Sequence, residues 1–152
     1  FKIGAHIDHI ENLDEQAESV DVHGAVHFKW TNPHYSWNTS IYRIDRISRF
    51  VGDFYPWQPW TPRPQFRHAV HLGIKGFQNS REFETFQNEE ASQLTIDSNG
   101  SIALSVPFSL RVPCNFRFLS FPHDEHICTL RMQTEYALKS VVFERDDSIV
   151  DV

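Results

Sequence analysis

Eleven consecutive residues alternate in character. Val20, Val22, Gly24, Val26, Phe28 and Trp30 are interleaved with Asp21, His23, Ala25, His27 and Lys29. Successive side chains of an extended chain point to opposite sides, so this run sends an apolar set to one face of a sheet and a polar set to the other. No segment sustains a 3.6-residue period. A second strand is expected over Ile3–Ile10, with Asn12 to Glu18 as a polar connection. Ser98-Asn99-Gly100 reads as a hairpin turn between Gln93–Ile96 and Ile102–Val106. Shorter runs at Ile127–Met132 and Ser140–Phe143 add strands, while Pro56, Pro59, Pro62 and Pro64 preclude a helix around them. Many short strands at such spacing imply an antiparallel β-sandwich or barrel.

The chain is long enough for one domain with a sizeable core, and no repeat or shift in composition divides residues 1–152. Thirteen Phe against a single Met mean that rigid rings fill much of the interior. A net charge of −6 repels phosphate backbones and argues against a nucleic-acid partner. The stretch Ser98–Leu110 carries no charge, but it is short and contains Pro107, so no membrane span is expected. No signal peptide is visible, and a chain beginning at Phe1 fits a processed, mature product.

Cys114 and Cys128 enclose 13 residues and are compatible with a disulfide or with two free thiols. Neither belongs to a CxxC pair, which leaves redox chemistry and a zinc ribbon without support. Two glycosylation sequons, at Asn38 and Asn99, together with the even cysteine count place the chain in the secretory pathway, outside the cell.

Catalytic motifs are absent: there is no GxSxG elbow, no phosphate-binding glycine loop and no HExxH. Nine histidines raise the question of a metal. His23 and His27 share a strand face but sit about 13 Å apart, too far for one ion. His123-Asp124-Glu125-His126 is denser in ligand atoms, yet no third element joins it, and turn residues in solvent are the simpler reading. No metal and no cofactor are therefore expected, and the chain reads as a non-enzyme. Arg43, Arg46 and Arg49 read as a solvated face or as inter-subunit ion pairs, and Asp146-Asp147 and Glu89-Glu90 as exposed loop charges. The histidine content implies that assembly responds to pH near 6.5.

From Cys114 the sequence runs Cys-Asn-Phe-Arg-Phe-Leu-Ser-Phe-Pro-His-Asp-Glu-His-Ile-Cys. Two cysteines at this spacing, with Phe121, Pro122 and Asp124 placed as Phe-Pro-x-Asp before the second, resemble the signature of the Cys-loop receptors, the family of pentameric ligand-gated channels and soluble acetylcholine-binding proteins. Trp30-Thr31-Asn32-Pro33-His34-Tyr35-Ser36-Trp37 is similar to the family's W-x-D-x-x-L-x-W stretch, with Asn32 in place of Asp. Trp57-Gln58-Pro59-Trp60 is similar to its W-x-P-D, with Trp60 in place of Asp. The resemblance spans nearly the whole chain. It implies the family's twisted antiparallel β-sandwich, immunoglobulin-like, with Cys114 and Cys128 joined as the Cys-loop disulfide. Phe116, Phe118 and Phe121 would seat that loop.

The family's domains also carry a helix before the first strand and further strands after the one at Phe143, and this sequence shows neither. Their amine ligands lie in an aromatic box at the subunit interface. Counting from the motifs, box positions fall on Ala25, on Pro64, on Leu104 with its neighbours Ala103 and Ser105, and on Glu135, with Tyr136 one residue later. Of these only Tyr136 is aromatic. Trp57 and Trp60 offer a new aromatic surface, although tryptophan in such a motif is usually core. The resemblance thus implies an extracellular binding or assembly module, a homo- or hetero-pentamer with a small-molecule ligand at the subunit interface and a degenerate box. The alternative is a secreted structural or carrier protein that keeps the pentameric scaffold without binding a transmitter.

Overall fold

The computed structural model describes residues 1–54, 56, 59–72, 91–116, 124–134, 136–137 and 140–146. The alternating run lies in β2 (Ser19–Ser36), the central strand of the principal sheet. On one side β2 pairs antiparallel with β1 (Lys2–Asp14), and on the other with β7 (Asn99–Pro113). The sheet is completed by β3 (Arg46–Phe50) and β6 (Gln93–Asp97) at one edge and by β9 (Glu144–Arg145) at the other, in the order β3-β6-β7-β2-β1-β9. β5 (Val70–His71) pairs with β7 beyond the end of β6, on the same side. β9 runs parallel to β1, a departure from the otherwise antiparallel pairing.

The apolar members of β2 and β7 form the core. Val20, Val26, Phe28, Leu104, Val106 and Leu110 are all buried beneath a second, two-stranded sheet of β4 (Pro64–Arg67) and β8 (Arg131–Thr134). Phe66 of β4 meets Phe108 of β7 at 5.3 Å between ring centres, and Met132 of β8 packs on the same cluster. The expected β-sandwich is therefore present, with Cys114 and Cys128 joined by a disulfide that follows directly on β7. Cys114 is buried, and its N–H donates to the Glu18 carbonyl at 2.7 Å.

Three expectations change. The connection after Ile10 is shorter than expected, because β1 continues to Asp14 across two register shifts. Pairing near the end of the chain begins later than the apolar runs suggest, at Arg131 and Glu144. Asp146 is not an exposed loop charge: it is 5% exposed and paired with Lys29 at 2.8 Å, because β9 draws it under the edge of the sheet. The hairpin at Asn99-Gly100 is as expected, and Gly100 adopts φ +82°, a conformation that costs glycine nothing. The helices among the described residues, α1 (Thr39–Tyr42) and a 3-10 turn at Val51–Phe54, are four residues each, and none is long and apolar enough to cross a membrane.

Candidate functional site

The small β4–β8 sheet positions Tyr136. Thr134, at the end of β8, donates from its hydroxyl to the Pro62 carbonyl at 2.6 Å and accepts the Tyr136 N–H at 3.3 Å. This pulls Tyr136 against the segment entering β4, where its ring lies 5.2 Å from Trp60. Trp60 meets Trp30, on the core side of β2, edge-on at 6.0 Å, and Phe1 at 5.3 Å; Phe1 is 5.7 Å from Trp30. Phe1 is tied down by its backbone nitrogen, which donates to the Val142 carbonyl, and by its own carbonyl, which accepts from the Glu144 N–H.

Four rings thus meet at one end of the sandwich. Their separations are contact distances for tilted and edge-to-face aromatic pairs, so they pack on one another rather than line an open box. Trp60 is 39% exposed, against the expectation of a core residue, while the other three are half-buried. An exposed indole face is the strongest aromatic attractor for a cation.

The remaining expected ligand positions lie elsewhere. Ala25 is buried on the outward side of β2, opposite His6 of β1 and Pro107 of β7. Leu104 is 1% exposed and paired with Phe28 across the core face. With its neighbours Ala103 and Ser105 it also borders a depression of about 260 Å³, lined besides by His27, Phe28, Lys29, Gln93 and Thr95. Burial, followed by the nearby His6 and Lys29, lowers the His27 pKa, so this imidazole stays neutral to lower pH than a free one. Glu135 and Trp57 lie outside the described residues.

In the Cys-loop, Phe116 packs against the core and meets His126 edge-on at 5.3 Å, and Asp124 is half-buried. Phe118, Phe121, Pro122 and His123 are outside the described residues. Asn38 caps α1 by accepting the Ser40 N–H, and Asn99 accepts the Ser101 N–H in the hairpin; both are exposed. Arg46 pairs with Asp97 of the neighbouring strand within the chain. Sequence reasoning missed the Trp60–Tyr136 contact, which depends on pairing between segments about 70 residues apart. The one signal available was the run of tryptophans.

A family model described as the neurotransmitter-gated ion-channel ligand binding domain matches residues 1–148. Among curated proteins, the acetylcholine receptor-like protein cup-4 of Caenorhabditis briggsae is 21% identical over 127 residues, covering 84% of this chain and 27% of that protein. The chain thus spans about a quarter of the length of this relative.

Proposed function

Since the chain belongs to the neurotransmitter-gated ion-channel ligand-binding domain family, we propose that it is an extracellular binding and assembly module of Cys-loop receptor type. In this reading it joins copies of itself or of related chains in a five-membered ring. The Trp60–Tyr136 face is offered to a small cationic ligand at the subunit interface. One observation supports the reading: Tyr136, the aromatic residue beside the box position at Glu135, lies against an exposed tryptophan. Exposed Asn38 and Asn99 fit N-linked glycans on the outer surface of such a module.

The test is titration with a quaternary amine such as choline, followed by tryptophan fluorescence and calorimetry. Saturable quenching that disappears in Trp60→Ala and Tyr136→Ala is the expected result; no heat and no quenching in the native protein defeats the ligand reading. A second reading, a pentameric scaffold without transmitter binding, is favoured by the close packing of the four rings and by the burial of Leu104. It predicts a ring in native mass spectrometry together with a silent titration. A stable monomer in that measurement removes the assembly role from both readings.

A further inference from the structure

The outward face of β2 carries a second constellation, on the side opposite Trp30. His9 of β1 lies across from His23 of β2, their rings stacked 4.4 Å apart and within 9° of parallel. Glu11 reaches the same place, with Oε1 3.0 Å from His23 Nε2. One ligand atom from each of His9, Glu11 and His23 lies within 4.8 Å of the others.

A β-bulge assembles this group. His6 and His9 are three residues apart, which in a regular strand places them on opposite faces. The register shift between Ile7 and His9 inserts one extra residue, and both histidines then face the same side.

We infer that His9, Glu11 and His23 form a binding site for a divalent transition-metal ion of the zinc type. Two imidazoles and a carboxylate are a donor set suited to Zn²⁺, and three protein ligands leave a fourth position for water or an external ligand. Donors around a tetrahedral zinc stand about 3.3 Å apart at metal–nitrogen distances of about 2.0–2.1 Å. The set therefore closes by a modest turn of the exposed His9 and Glu11 side chains.

A supporting contact is already built. The Ser109 hydroxyl of β7 lies 2.9 Å from His23 Nδ1. Without an ion, Nε2–H donates to the Glu11 carboxylate; an ion would take the place of that proton, with Nδ1–H donated to Ser109 and the Nε2 lone pair turned to the metal, the outer-shell arrangement that fixes the tautomer of a ligating histidine. The neighbouring charges are already engaged: Asp21 is held by Arg111 in a two-point pair and by Asn12. The next pair along, His6 and His27, is closed by its own hydrogen bond at 2.9 Å. A bound ion would tie β1 to β2 at the bulge.

The experiment titrates zinc chloride alone into the tag-free full chain at pH 7.4, read by calorimetry and by thermal melting, with Co²⁺ as a spectroscopic substitute. One equivalent is expected to bind and to raise the Tm, and Co²⁺ is expected to show tetrahedral visible absorption. His9→Asn and Glu11→Gln, both at exposed positions, should each weaken binding at least about tenfold, Ser109→Ala about tenfold, and His6→Asn should leave it unchanged. Absence of stoichiometric binding overturns the site, as does binding that survives in His9→Asn and Glu11→Gln or is lost in His6→Asn.

Discussion

The two faces of β2 are made from one stretch of chain, yet they are held in different ways. On the inward face Val20, Val22, Val26 and Phe28 pack into a cluster contributed by several strands. Apolar attraction has no direction, so what these positions require is volume and shape. On the outward face the polar side chains depend on specific, directional partners. Asp21, only 2% exposed, receives Arg111 Nε at 2.7 Å and Nη2 at 2.9 Å, His23 has Ser109 and Glu11, and His27 has His6. One face confers cohesion, the other carries the directional contacts and the titratable chemistry.

The contrast is broken most directly from the inward side. Phe28→Ala removes a ring with no exposed surface and should cost about 3–5 kcal/mol in urea unfolding, with little change in how stability varies with pH. A loss that depended strongly on pH would show that the faces are not separable. Reducing the disulfide comes next. It closes a loop of 14 residues' separation at the end of β7, and Cys128→Ser should lower stability by about 3 kcal/mol, read from the urea midpoint.

Gly24 links the faces, because a Cβ there would stand 2.2 Å from the His6 carbonyl oxygen of β1. Gly24→Ala should cost about 1–3 kcal/mol and should show first as faster amide exchange in β1, with the β2–β7 ladder less affected. Equal loss of protection in both ladders would mean that β1 is not a separable edge.

The outward face is probed by pH. The Arg111 guanidinium, and secondarily the Asn12 amide, hold the Asp21 carboxyl below its ordinary 3.8 against the opposing effect of burial. Its contribution is therefore complete above that pH and lost as pH falls through the folded-state value. Asp21→Asn should flatten the acid limb of the stability curve below about pH 4. Since Arg111 is half exposed and can return to solvent, the loss at neutral pH should be smaller than for Phe28→Ala.

The smallest effect belongs to His27. Its pKa lies below 6.5 when folded, so the unfolded chain takes up the proton first and stability declines as pH drops below 6.5. His27→Gln should remove that slope between 6.5 and the folded-state value, measurable as Tm against pH; an unchanged slope would assign it to another histidine.

Much of the fold was legible beforehand because it rests on local alternation. The inward set of β2, the Asn99-Gly100 turn and the β6–β7 hairpin follow from period two and from a residue that tolerates positive φ. The Cys114–Cys128 pairing came from likeness to a family rather than from spacing. Asp146 was misjudged because its burial comes from a parallel pairing of β9 with β1, some 140 residues away along the chain. Trp60 was misjudged for a related reason: its surroundings are built by β8 and by Phe1, which nothing in the local motif specifies.

What the sequence by itself determined is the individual strands, the face of β2 that is buried and the turn at Asn99-Gly100, since these depend on residues within a few positions of one another. Tertiary structure alone decided which polar groups meet. His6 and His9 share a face because of a bulge, and Glu11 finds His23, and Tyr136 finds Trp60, through cross-strand register. Register joins distant segments by backbone hydrogen bonds common to every residue, so side-chain type does not announce it. A shift of one residue would send each of these partners to the opposite face.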